Sequence, residues 1–407
     1  MSESRVYLDH ISATPVLPEV REAMLPYFSE HFGNPSSIHQ TGMAARNALK
    51  NAREQVGSFI SANRPENIIF TSSGTESINI AIKGMAKHAK RRGNHIVCTA
   101  TAHPAVLESI EFLKNDGITC TKVPVDAVGK VDLARVKEAM KKETFLLVSH
   151  AANYDIGTIQ PLLQLGEIAA NHDASFMVEA NYAGGWLPLE VEVYGIDLLT
   201  LSPHRFYGPK GVGVLYRNPR SRLAPLFHGG SQEDGFRAGT ENIPAIVGAG
   251  VAAEYAGKYM GSRVEHVAKM QSRLWDKLKA TVPLLKINGP EPGPQRLVTN
   301  LNFSAEFTEG EGLMLMCDTK GFSIGSGTAC VFRNLKVSAV LEAMGVSPDL
   351  AKAAVLVSPG KDTTEDEVDR FAAVFPSLVE KLRKMSPNWD LYQAGRYKSL
   401  VSGKMVK

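Results

Sequence analysis

Three observations predict an α/β fold built on a mostly parallel sheet. Short apolar runs such as Ile68-Ile69-Phe70 and Phe145-Leu146-Leu147-Val148, bounded by turn-forming residues, read as buried strands. Amphipathic stretches of helical length separate them, at the spacing of strand–helix–strand units. The 407 residues, 44% of them hydrophobic, suffice for one large or two ordinary domains with a sizeable core.

Composition removes several function classes. A net charge of +3 from nearly balanced acids and bases gives no basis for nucleic-acid binding as a main activity. The longest apolar run, Ile243–Ala253, is too short and too rich in Gly and Ala to span a bilayer, so no membrane association is expected. The opening residues Met1-Ser2-Glu3-Ser4-Arg5 have no apolar signal core. Cys98, Cys120, Cys317 and Cys330 are far apart in sequence and form no C-x-x-C pair, which argues against a disulfide framework and fits a reducing cytoplasm.

In chain order, Val6–Asp9 is a short extended segment and Pro18–Met24 a helix whose proline sits where its missing N–H costs nothing. After the loop Gly33-Asn34-Pro35-Ser36-Ser37, the spacing of Ala45, Leu49, Ala52, Val56 and Ile60 predicts a helix over Gly42–Ile60. Strand Ile68–Thr71 turns through Ser72-Ser73-Gly74-Thr75-Glu76-Ser77 into helix Ile78–Met85. Unpaired N–H groups and the positive helix end there suit an anion. Strands His95–Ala100, Ile118–Val125 and Thr144–His150 follow, with helix Asp132–Lys142 before the last. Helix Leu162–Asn171 leads to strand Phe176–Val178 and to Glu179, a carboxylate at a buried strand end that needs a cation or donor. Another apolar run, Ile196–Leu201, runs into Ser202-Pro203-His204-Arg205-Phe206-Tyr207-Gly208-Pro209-Lys210-Gly211, where hydroxyl, imidazole and backbone N–H groups suit a phosphate. Helices Ile243–Ala256 and Val264–Ala280 are expected next. From about Ser262 a smaller α/β domain follows, with strands near Leu285–Ile287 and Leu297–Phe303 and helices Gly310–Cys317, Leu335–Met344 and Thr364–Met385.

The Ser202–Gly211 stretch resembles the cofactor-lysine loop of the cysteine desulfurases, pyridoxal-phosphate enzymes of fold type I and the aminotransferase class V group. The likeness continues through Ser72–Ser77, Ile156-Gly157-Thr158-Ile159-Gln160-Pro161, Gly229–Asn242 and Ser326-Gly327-Thr328-Ala329-Cys330, so it spans nearly the whole chain. It implies a seven-stranded large domain over 18–261 and a small domain formed by 1–17 and 262–407, which carries the Cys330 loop and the tail. By the same resemblance Gly74, Thr75, Ser202 and His204 belong to a phosphate cup. His103 stacks on the cofactor ring and assists proton transfer, Asn153 contacts the cofactor's phenolic oxygen and the substrate carboxylate, and Thr240 reaches the phosphate in a neighbouring subunit. That last role implies a homodimer. Cys330 matches the persulfide-forming cysteine, and the aromatic, basic tail falls where the family docks a sulfur acceptor or an iron–sulfur scaffold.

Several positions depart from the pattern, Tyr154 and Asp155 among them, where the family has Asn and Glu. Arg205 stands where the family has the lysine that bonds the cofactor covalently, and Leu356 stands where it has the substrate-carboxylate arginine. Glu179 replaces the aspartate that meets the pyridine nitrogen, and Tyr182 replaces a glutamine. A guanidinium with a pKa above ~12 stays protonated and cannot act as that nucleophile. The expectation is therefore a cysteine-desulfurase-like protein of sulfur transfer or iron–sulfur assembly with impaired or absent ordinary turnover. Cys330 would serve as a persulfide thiol or the ligand of a shared iron–sulfur cluster. Two alternatives stand beside it. One is an enzyme holding pyridoxal phosphate non-covalently through Gly74, Thr75, Asn153, Glu179, Tyr182, Ser202, His204, Arg205 and Thr240. The other is a pseudoenzyme subunit paired with an active paralogue. The departures at Leu356, Glu179 and Tyr182 argue against Arg205 being a single engineered change.

Overall fold

A computed structural model describes residues 5–89, 93–326 and 337–406. Its strands, in chain order, are β1 (Val6–Tyr7), β2 (Ile68–Thr71), β3 (His95–Thr99), β4 (Thr119–Val123), β5 (Thr144–His150) and β6 (Ser175–Glu179). Then come β7 (Leu198–Leu201), β8 (Gly213–Arg217), β9 (Leu285–Ile287), β10 (Leu301–Ala305), β11 (Phe322–Ser323) and β12 (Ala354–Val357). Seven of them form one sheet in the order β2-β8-β7-β6-β5-β3-β4. The β4–β3–β5–β6–β7 ladders are parallel, and β8 runs antiparallel to both its neighbours.

Helices cover both faces of this sheet, so its inner strands are buried on both sides and read as unbroken apolar runs. Alternation then divides them. Val97, Leu147, Phe176, Val178 and Leu199 enter one core, while Ile96, Cys98, Leu146, Val148, Met177 and Leu198 enter the other. Strand β4 has a single neighbour and is half exposed, with Lys122 on it, as suits a sheet edge. The smaller sheet β12-β10-β9 is antiparallel and lies over a third core containing Trp275, Phe303, Phe371 and Phe375.

Several expectations need correction. The two helices expected around residue 260 are one helix, Ile243–Thr281, of 39 residues. Gly257 and Gly261 do not break it, and Arg263 fastens its middle by donating to the Gly185 carbonyl at 2.7 Å beneath Trp186 and Tyr207. The strand expected over Leu297–Phe303 starts only at Leu301. Leu297 N–H instead donates to the Gly157 carbonyl (2.8 Å), and the Asn300 carboxamide to the Asp155 carbonyl (2.9 Å). The helix expected over Leu335–Met344 is Ala339–Ala343, since Ser338 is its N-cap and accepts from Leu341 N–H at 3.2 Å. Helix Gly74–Ala89 is longer than expected at both ends.

Candidate active site

Parallel strands place their exits on one edge of the sheet, the usual ligand side of an open α/β sheet. Four adjacent strands, β3, β5, β6 and β7, deliver His103, Asn153, Glu179–Tyr182 and Ser202–Arg205 to that edge, and the β2 exit adds Gly74 and Thr75.

Gly74 opens helix Gly74–Ala89 so close to Ser202 Oγ and Asn181 Oδ1 that a Cβ would overlap both. Ser202 donates to Asn181 Oδ1 at 3.1 Å. The result is a small polar cup at a helix N-terminus, suited to a phosphate dianion. Thr75 is exposed at its rim and lines an open cleft together with His103, Asn79 and Lys83. Burial, and then the positive charges of Arg205 and Lys210, lower the His204 pKa to about 4, so its imidazole is neutral. Asn181, which sequence reasoning did not select, is signalled only by its place two residues beyond Glu179.

Glu179 is fully buried at the end of β6. Its Oε1 accepts from Asn181 N–H at 2.9 Å, while Oε2 has no hydrogen-bond partner among the described residues. Burial raises its pKa to about 7, against the lowering from Asn181 and Arg205. A buried carboxylate oxygen without a donor is costly, and a protonated ring nitrogen would supply one.

The opposite side of the site is occupied by protein. The Arg205 guanidinium carbon lies 4.1 Å from the Tyr182 ring centroid, and Nη2 donates to the Tyr182 hydroxyl at 3.1 Å. The centroid of Tyr182 is 5.9 Å from that of His103 and 5.7 Å from that of Tyr154, and His103 meets Tyr154 edge-on at 5.2 Å. Tyr154 is not among the expected site residues; its signals are its place beside Asn153 and its departure from the asparagine of the family's pattern. His103 caps helix Pro104–Leu113 by accepting from Ala105 N–H at Nδ1 (3.1 Å), which leaves the neutral ring its proton at Nε2. Burial, then Arg205, lower its pKa to about 4.

Not every side chain near this edge faces the site. The Asn153 carboxamide clamps backbone, accepting from Asp155 N–H (2.9 Å) and Ile156 N–H (3.1 Å) and donating to the Thr101 carbonyl (3.0 Å). Asp155 turns toward the smaller sheet, bonded to Ser338 and to Asn302 at 2.7 Å, and burial raises its pKa to about 6. Leu356 is packed in the main core and pairs with Asn302 across β10–β12. Thr240 is exposed and lines a separate recess with Ser72, Gly211 and Arg237. Lys210, the lysine of the Tyr207–Gly211 turn, is also exposed and lines a recess with Tyr7, His10 and Asp362. Cys330 lies outside the described residues. Among the described residues no group of three or more His, Cys, Asp or Glu is placed to hold a metal.

The family model for aminotransferase class-V matches residues 6–371. The chain belongs to that family. A cysteine desulfurase IscS of Dictyoglomus turgidum is 41% identical over 382 residues, covering 94% of this class-V chain and 96% of the relative. Among solved structures, a NifS-like protein superposes with a TM-score of 0.87 at 34% identity, covering 93% of this chain and all of the other. SspA in complex with cysteine superposes with a TM-score of 0.76 at 33% identity, covering 88% of this chain. No helix among the described residues is long and apolar enough to cross a membrane.

Proposed function

We propose that this chain works in sulfur transfer or iron–sulfur assembly as a cysteine-desulfurase-type protein whose ordinary desulfurase turnover is impaired. The observation that carries the reading is the Arg205–Tyr182 stack, a permanently charged guanidinium lying where the family's pattern calls for a nucleophilic lysine. Lys210 is no substitute, because it lines a different recess from the one His103 shares with Thr75. Leu356 adds a second loss, since an apolar side chain cannot form a bidentate clamp on a substrate carboxylate.

The residues present fit pyridoxal phosphate held without a covalent bond. Glu179 Oε2 offers the ring nitrogen an acceptor, and Gly74, at a helix N-terminus beside Ser202, with Thr75 next to it and His204 two residues beyond Ser202, would hold the phosphate. When bound, the cofactor supplies an electron sink for bonds at a substrate's Cα. On the protein side, Arg205 and Tyr182 would offer donors to the ring's oxygen substituents. Neutral His103 presents an Nε2–H donor rather than a strong base. Cys330 is the thiol that carries sulfur, received as a persulfide from another source, or that ligates a cluster shared with a scaffold protein. Exposed apolar residues near the N-terminus, Phe28, Phe32 and Ile38, support pairing with a second copy or with a paralogue.

The test pairs two variants with the full-length chain. With pyridoxal phosphate loaded, borohydride leaves the cofactor removable from wild type and locks it onto Arg205→Lys, as absorbance of the denatured protein shows. Cys330→Ser abolishes delivery of labelled sulfur to an acceptor from an added persulfide donor. Covalent locking onto wild type, or unchanged delivery by Cys330→Ser, defeats the proposal.

A further inference from the structure

Cys98 and Cys120, separated by a whole strand–helix–strand excursion, are brought into contact by the parallel ladder between β3 and β4. Their sulfurs lie 3.6 Å apart. The two are not equivalent. Cys98 is buried in the core, whereas Cys120 is half-exposed on the edge strand. Either sulfur can donate to the other; the contact with Cys98, with the positive charges of Lys122 and Lys114, lowers the Cys120 thiol despite its burial and the opposing Glu111. Cys98 is pushed the other way, first by that same bond and then by burial. Among the described residues Cys317 has no such neighbour, and burial raises its pKa to about 12.

A thiolate-prone, reachable sulfur backed by a buried partner thiol is the arrangement of an attacking and a resolving cysteine. We propose that Cys98 and Cys120 are a redox-active pair that closes to a disulfide across β3–β4 when the protein meets a hydroperoxide. In the first step the Cys120 thiolate attacks the peroxide, an S–O bond forms as the O–O bond breaks, and hydroxide leaves with Cys120 as a sulfenic acid. In the second, the Cys98 sulfur attacks that sulfur, the S–S bond forms, and the S–O bond breaks to release water. Two thiols and one hydrogen peroxide thus give one disulfide and two waters. A small dithiol restores the pair by exchange and is itself oxidised. The sulfurs must close by about 1.5 Å to bond. Because Cys98 faces Lys122 and Cys120 faces Ile96, the two are diagonal in the ladder, and closing the bridge requires the backbone of the edge strand β4 to shift as well. The closed bridge would bind both ends of the segment that holds helix Pro104–Leu113 and its capping His103. It involves neither the Arg205 site nor Cys330.

The experiment uses full-length Cys330→Ser protein, which leaves three of the four cysteines. After brief treatment with a small excess of hydrogen peroxide, thiol titration of the denatured chain should fall from three to one. Mass spectrometry under non-reducing conditions should show the Cys98 and Cys120 peptides joined. Dithiothreitol should restore three thiols. Adding Cys120→Ser should abolish the cross-link and leave Cys98 reduced; being half-exposed, that position tolerates serine without loss of the fold. Adding Cys98→Ser should leave a Cys120 sulfenic acid that dimedone captures. Three unreacted thiols, Cys120 oxidised to sulfinic acid beside free Cys98, or a bridge to Cys317 would each overturn the proposal.

Discussion

Two buried glutamates, Glu233 and Glu179, show opposite ways of keeping a carboxylate in the protein interior. Glu233, in the 232–235 turn, accepts from both terminal nitrogens of Arg53 (2.8 and 2.9 Å) and from Phe70 N–H (2.8 Å), so the protein supplies donors to both oxygens. Glu179 is equally buried, yet one of its oxygens has no donor. A nearby arginine is not the difference, since Arg205 spends its Nη2 on Tyr182. A carboxylate that serves the fold is completed by the fold, whereas the Glu179 oxygen at the strand exit is left as an unsatisfied acceptor.

The comparison can be broken most forcefully at Glu233. Replacing it with Gln strands the Arg53 charge, and a half-removed buried pair costs roughly 3–5 kcal/mol. The urea midpoint should fall accordingly, and a loss below ~1 kcal/mol would show that the pair is no more than a surface contact. Glu179→Gln should act in the other direction. Because the folded-state pKa of Glu179 is raised to about 7, the folded chain holds its proton more firmly than the unfolded chain does. Stability is therefore lost as pH rises from the ordinary glutamate value through 7, by on the order of 3 kcal/mol. Cofactor-free Glu179→Gln should match wild type in thermal unfolding at low pH and exceed it at pH 8; an equal offset at both would refute the assignment. The smallest effect is expected at Tyr182. Phe keeps the ring beneath Arg205 and removes only one hydroxyl acceptor, so the unfolding free energy should change by about 1 kcal/mol or less. A larger loss would mean that the hydroxyl, rather than the ring face, holds the guanidinium.

The sheet strands and the loops that carry the site were legible because each is local: an apolar run, then a turn of Gly, Ser or Thr opening a helix. Gly74, Ser202 and Glu179 could be picked for that reason, and the structure brings all three to one edge of the sheet. What escaped was set by register and packing. The Cys98–Cys120 contact depends on the register of two parallel strands, which sets the two sulfurs diagonally across the ladder, and no spacing rule over the intervening segment encodes that. Tyr154 joins His103 and Tyr182 only because β5 and β6 are neighbours. Asn153 is a polar residue at a strand exit whether its amide faces a ligand or, as here, three backbone groups. Strand β8 follows directly on the Gly-rich turn, so its short apolar run, Val214-Leu215-Tyr216, has no separate boundary in the sequence.

Helix Ile243–Thr281 has a practical consequence for anyone dissecting the chain. At 39 residues it extends about 58 Å. Its small-residue first half presses Gly250 against Ala52, and its second half contributes Met270, Leu274, Trp275 and Leu278 to the third core. A fragment cut between residues 261 and 262 would sever it mid-span and leave each piece with a bare apolar stripe. The two halves of the molecule should therefore melt together and resist separate expression.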